Sequence, residues 1–395
     1  MLDLSRVSGQ VNAMTKEYTR QISIYSNQIE NALEALDQYD ENPRLWLEKI
    51  NSDERHFFVA FPKDKLSSAF SLPDKLNKYT VMAVDGSQID VDTHEIALCY
   101  VINIGRVVLY YGTGNQPLLD SLPKLYFKQE DIYRQQSNGQ AVLIQGDRLA
   151  ELRSQTEALE LKKLVIDKRI DNCSSVAFVD GTLVSWDKAA SAKKDIGGFT
   201  APLFDDLFKM GERIKIPVAG YISGSRTSLV VNTLRSKDCI QSVMDCTGCK
   251  YRTDKEAPCH LLEGIRDTAL FKNILGVGER STVFYGGINT LPKEEWPKYR
   301  IGFFYINGGS EIARVEAPDY VLEDDCLMDL IHAAVFDQIQ KGLGYPVALQ
   351  EAHHLAVVKG VEREAFYHLV ANNFAMSGIP IEVTDKKLKK NTRIF

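Results

Sequence analysis

Two apolar runs in this 395-residue chain end alike, V-M-A-V-D-G-S at 81–87 and V-A-F-V-D-G-T at 176–182. Short runs of this kind read as strands, and D-G reads as the point where each strand stops and the chain turns away. A carboxylate at the end of a buried strand is held rigidly at a sheet's rim, and the following glycine leaves it open to solvent or a cation. One D-G is a common turn dipeptide; two matched copies weigh toward a carboxylate site built from Asp85 and Asp180.

Around these runs the pattern predicts strands at 79–84, 96–103, 106–111, 175–179, 217–222, 301–306 and 311–316. Helical periodicity falls at 146–170, 202–213, 325–341, 347–358 and 363–376. Strands alternating with helices give an α/β layer architecture. Ahead of them, Val7, Val11, Met14, Tyr18, Ile22, Tyr25, Ile29, Leu33 and Leu36 alternate by three and four, which makes one long amphipathic helix. Its stripe suits either a coiled-coil seam between two copies or packing on its own domain. The division expected is an N-terminal helical segment over residues 1–60, then a domain over 75–385 carrying an insertion at about 236–262.

That insertion holds Cys239, Cys246, Cys249 and Cys259, four of the seven cysteines, in the pattern C-x6-C-x2-C-x9-C. With no export signal at the start of the sequence the expected compartment is the reducing cytoplasm, where clustered thiols serve as ligands more often than as bridges. Four thiolates can close a tetrahedral Zn²⁺ site or hold an iron-sulfur cluster, and either would brace a segment with few large apolar residues of its own. His260 is a spare ligand.

Hard divalent cations such as Mn²⁺ or Mg²⁺ prefer carboxylate oxygens, and a pair of them about 4 Å apart can activate water and neutralise a scissile phosphate. A third acid is then expected, and the segment before Asp180 offers Glu151, Glu157 and Glu160, although Glu157 is also placed for an i,i+4 pair with Arg153. Later, G-Y-P-V-A-L-Q-E-A-H-H puts Tyr345 at a helix start and His353 and His354 two turns inside. Bulk charge disfavours a phosphate polyanion, at a formal -6, but basic clusters occur at Lys162, Lys163, Lys168, Arg169 and at Lys386, Lys387, Lys389, Lys390, Arg393.

The order D-G-S, acidic helix, D-G-T-L, then G-Y-P-x-x-L-x-x-A-H resembles the NurA nuclease family, from about Thr80 to Val358. The resemblance implies an RNase H-like mixed sheet flanked by helices and a divalent-metal-dependent DNA nuclease, acting as a single-strand endonuclease, a 5′-3′ exonuclease or both. It implies metal-binding roles for Asp85, Glu157 and Asp180 and auxiliary roles for Tyr345 and His353. It further implies a homodimer that partners a HerA-type hexameric ATPase in DNA end processing and repair. Residues alone leave open a ribonuclease using the same site, and a non-catalytic module that binds nucleic acid or a partner.

Overall fold

The computed structural model describes residues 3–50, 57–92, 97–135, 139–184, 202–251, 257–286 and 298–379. The basic cluster at Lys386–Arg393 lies outside them. The described strands are β1 (Ala60–Pro62), β2 (Ala69–Phe70), β3 (Tyr79–Ile89), β4 (Tyr100–Tyr111), β5 (Leu118–Tyr126), β6 (Tyr133–Gln135), β7 (Ala141–Leu143), β8 (Ser174–Asp180), β9 (Val218–Ile222), β10 (Arg280–Ser281), β11 (Phe284–Gly286), β12 (Ile301–Asn307) and β13 (Ile312–Pro318). The chain forms two units from interleaved stretches: residues 75–180, 201–219 and 337–395, and residues 1–74, 181–200 and 220–336.

In the first unit β3, β4 and β5 make an antiparallel meander, and β8 lies parallel to β3 from Tyr79↔Ser174 to Val84↔Val179. The start of β9 follows β8, with the Ala177 amide donating to Pro217 O at 3.0 Å. The order β5-β4-β3-β8-β9, a three-stranded meander extended by helix-connected strands on its first member, is the RNase H-like arrangement expected. Helices Asp147–Lys168 and Val347–Ala356 both pack on β3 and β4.

Two strand expectations are corrected here, and one strand of the meander is added. The strands predicted at 96–103 and 106–111 are one strand, β4, because Gly105 does not break it but takes a ladder place opposite Asp85. β5 was not foreseen: it is an edge strand containing Pro123 with Leu119, Leu122 and Leu125 exposed, so it lacks a clean alternation. Finally, β3 does not stop at Val84 but runs on to Ile89, because β4 continues to pair with it as far as Val101.

The second unit has an antiparallel run β1-β11-β12-β13-β9, joined to β13 through Gly220–Ile222, with β10 pairing β12 and β2. The predicted N-terminal helix spans Leu4–Glu41, capped by Asp3, whose side chain accepts from the Ser5 and Arg6 amides. Its inner half buries Ala32, Ala35, Leu36 and Tyr39 against helices Leu229–Arg235 and Asp267–Phe271. The outer half leaves Val11, Met14, Tyr18 and Ile22 exposed. Within the cysteine insertion Met244 is buried against Ile50 and Val59, apolar residues from outside it.

His332 is fully buried in helix Asp325–Lys341, with Nε2 2.7 Å from Gly278 O. Burial, assisted by nearby Arg280, pushes its pKa down to about 4 against the opposing pull of the Gly278 carbonyl. The folded state therefore resists protonation that the unfolded chain accepts near pH 6.5, so stability from the neutral ring is lost as pH falls from about 6.5 to about 4. His332→Gln keeps a donor for Gly278 and does not titrate. In urea unfolding, the native protein should lose about 3 kcal/mol relative to this variant across that window.

Candidate active site

All five residues expected at the site fall in the first unit. Asp85 stands on β3 at the residue where pairing with β8 has just ended at Val84↔Val179 and only the pairing with β4 persists. Its carboxylate thus reaches the sheet's rim from the middle of a strand. Gly86 does not turn the chain away, as the sequence suggests; it makes room. A Cβ there would lie 2.3 Å from Glu157 Oε1 and 2.9 Å from Arg153 Cγ. Asp180 is the last residue of β8, and Gly181 after it does turn the chain, with φ of +99°.

Glu157 is the helix acid that faces the two aspartates. Burial, then the charges of Asp85 and Asp180, push its pKa up to about 7, while Arg153, with Nε 3.2 Å from Oε1, works the other way. Glu157 thus pairs with Arg153 as its spacing suggests and also lies near both aspartates. Glu160 is turned elsewhere, buried between Arg106 at 3.2 Å and Lys163 at 2.6 Å. Glu151 is exposed on the same helix, among residues including Arg134 and Arg148. Asp180 keeps solvent access, yet surrounding protein raises its pKa, as does Asp85; a hydrogen bond from Tyr345 and the proximity of His353 oppose the rise.

His353 Nδ1 lies 2.8 Å from Asp85 Oδ2 with more than half of its side chain exposed, whereas His354 is 3.9 Å from Glu351. The helix that carries His353 is held against the sheet at both ends. At its start Gln338 Oε1 accepts from the Ala348 amide at 3.1 Å, while its Nε2 donates to Tyr79 and Tyr111. At its end Asn103 donates to Leu355 O and Ala356 O at 3.0 and 2.8 Å, and Ser87 donates to Ala356 O. Gln338 and Asn103 are absent from the sequence reading; a lone amide inside the apolar run V-I-N-I was the available signal for Asn103.

The carboxylate set suits a hard divalent cation: three acids crowd together against their own repulsion, with oxygen donors only. As placed, Glu157 turns to Arg153 and Asp85 to His353, and among the described residues no three His, Cys, Asp or Glu side chains close on one point as metal ligands. The same holds for the cysteines of the second unit, which are all free thiols. Burial raises the Cys259 thiol, as does the nearness of Cys239, Cys249 and Cys246, with Arg235 opposing. His260, the spare ligand, is 2.7 Å from Glu263.

Residues 79–358 match the NurA domain. The chain belongs to the NurA family. The match spans every site residue of this NurA chain, from Asp85 to His353, and includes the cysteine insertion. Curated proteins give no match. Of solved structures, the NurA nuclease from Sulfolobus solfataricus is 14% identical over 92% of this NurA chain and 98% of its own, with a TM-score of 0.42. A NurA bound to dAMP and manganese is 13% identical over 73% and 87%, with a TM-score of 0.33. The catalytic domain of human endonuclease V is 14% identical over 88% and 98%, with a TM-score of 0.31.

Proposed function

We propose that this chain is a divalent-metal-dependent nuclease that cuts DNA, as a single-strand endonuclease, a 5′-3′ exonuclease or both. The observation that carries the reading is the gathering of Asp85, Glu157 and Asp180 in one unit, with His353 bonded to the first aspartate and Tyr345 to the second. Membership of the NurA family supports it, as does a relative whose structure holds dAMP and manganese. The three carboxylates are the residues to hold Mn²⁺ or Mg²⁺, which when bound neutralises phosphate charge and acidifies water. The Tyr345 phenol fixes the Asp180 carboxylate by its hydrogen bond. Asp85 orients the His353 ring through Nδ1, leaving the exposed Nε2 edge to hold or pass a proton at the substrate.

A homodimer, a HerA-type ATPase partner, a cytoplasmic setting and a role in repairing DNA ends belong to the same reading. The exposed apolar stripe on the outer half of helix Leu4–Glu41 supports a second copy as partner. No helix among the described residues is long and apolar enough to cross a membrane. Digestion of end-labelled single- and double-stranded DNA should occur with Mn²⁺ or Mg²⁺ and cease in EDTA. Cleavage of RNA alone would replace DNA as substrate, and cleavage of neither would leave a binding module.

The four thiols of the insertion are read as a structural site for Zn²⁺ or an iron-sulfur cluster. Their mutual proximity and the buried Arg235 guanidinium, which would offset the charge of four thiolates, support this. Protein purified without chelator should carry zinc or iron near one site per chain. Cys246→Ser should lose that metal and open the insertion to protease, while protein with neither element by mass spectrometry disposes of the idea.

A further inference from the structure

Four positions on β3 and β4 form a square beneath helix Val347–Ala356, all within the first unit. In the ladder Asp85 lies opposite Gly105 and Ser87 opposite Asn103. Because side chains alternate along a strand, the four share one face of the sheet. Every corner meets the C-terminal part of the helix. Asp85 Oδ2 is 2.8 Å from His353 Nδ1, and Gly105, by lacking a Cβ, leaves room for the Ala352 carbonyl. Ser87 and Asn103 converge on Ala356 O, and Asn103 donates to Leu355 O as well, at 3.0 Å.

A helix ends with carbonyls that its own backbone cannot satisfy, and the common remedy is a left-handed residue just past the end. No residue from 357 to 360 takes a left-handed φ, so side chains of the sheet supply the donors instead. Asn103 spends its NH₂ group on both carbonyls, while its buried Oδ1 has no partner among the described residues. An amide that leaves one polar atom unsatisfied is costly, so its two donors are what the position gains. The spacing then decides which residue stands over which. With Ala356 O seated on Ser87 and Asn103, His353 comes over Asp85, two residues back along β3. A slip of the helix by one residue would shift His353 by about 1.5 Å and turn it by about 100°. We propose that Ser87 and Asn103 are positioning residues for His353: together they set the register of its helix on the sheet and so hold Nδ1 at Asp85. The D-G-S motif thus supplies both an aspartate and, two residues on, an anchor for the histidine's helix. The inference rests on the reading of His353 as a group that acts on the substrate.

The test uses the full chain. Asn103→Ala removes the two amide bonds and Ser87→Ala the hydroxyl bond, and neither alters Asp85, Glu157 or Asp180. Mn²⁺ binding, read by electron paramagnetic resonance, should stay within about twofold of native, since the carboxylate oxygens are unchanged. In Asn103→Ala, hydrogen exchange should quicken about tenfold at the Val357 amide, which donates to His353 O. Single-turnover cleavage at saturating Mn²⁺ should slow about a hundredfold in Asn103→Ala and about tenfold in Ser87→Ala, with the half-saturating DNA concentration within about threefold of native. A double-mutant cycle decides the point. On His353→Ala, which has no ring left to place, adding Asn103→Ala should cost less than about threefold more. If Asn103→Ala does not fold, Ser87→Ala enters the same cycle. Losses that multiply in full, folded variants that cleave like the native chain, or a folded variant that loses Mn²⁺ binding overturn the inference and leave the nuclease reading standing. A His353→Ala chain that cuts as the native does removes the histidine from the reaction and this inference with it. A native chain that cuts no DNA overturns both readings.

Discussion

Asp85→Asn should reduce Mn²⁺-dependent DNA cleavage about a thousandfold, with little loss of stability. Asn has the shape of Asp, so the ladder place opposite Gly105 and the packing around it survive. What goes is the negative charge in the cluster proposed to attract a cation, together with the carboxylate partner of His353 Nδ1, 2.8 Å away. Relief of repulsion should also lower the Glu157 pKa, now pushed up to about 7 chiefly by burial and in part by Asp85. A stable variant with less than tenfold loss would remove Asp85 from the site. Asp180→Asn should behave alike, because Asp180 shares the same neighbours and takes a hydrogen bond from Tyr345.

The second large effect comes from a residue with no side chain. A Cβ on Gly105 would lie 2.2 Å from Ala352 O, 2.7 Å from Ala356 N and 2.9 Å from Leu355 Cβ. The first two are backbone atoms of the helix that bears His353, so no rotamer change relieves the clash and the helix itself must lift. Gly105→Ala should destabilise the protein by about 1–3 kcal/mol through overpacking. Displacing His353 by about 1 Å should cost roughly a hundredfold in kcat. Thermal melts and single-turnover cleavage together check this; native-like rates would mean that His353 is not needed where it stands.

Sequence and structure agree best where a signal is local. The stripe from Val7 to Leu36 gave one helix because three-and-four spacing needs nothing beyond the helix itself. Asp85, Glu157, Asp180, Tyr345 and His353, singled out by motif order, fall in one unit of the fold. Misreadings arose where a residue answers to something distant in the chain. Gly105 looks like a break between two strands, since its reason is a helix some 250 residues later. Gly86 looks like a turn, whereas it yields space to Glu157. Gln338 was not singled out because its partners, Tyr79, Tyr111 and the Ala348 amide, are known only once the elements are packed.

The bond between His353 and Asp85 spans 268 residues of sequence. During synthesis at about 5–20 residues per second, roughly 10–50 s separate the making of one partner from that of the other. The three acids are together only from Asp180 onward, so for the last 173 residues of that stretch the growing polypeptide has its acids but lacks this histidine. The Asp85–His353 bond therefore cannot guide the folding of the earlier strands and can form only once residue 353 has been made.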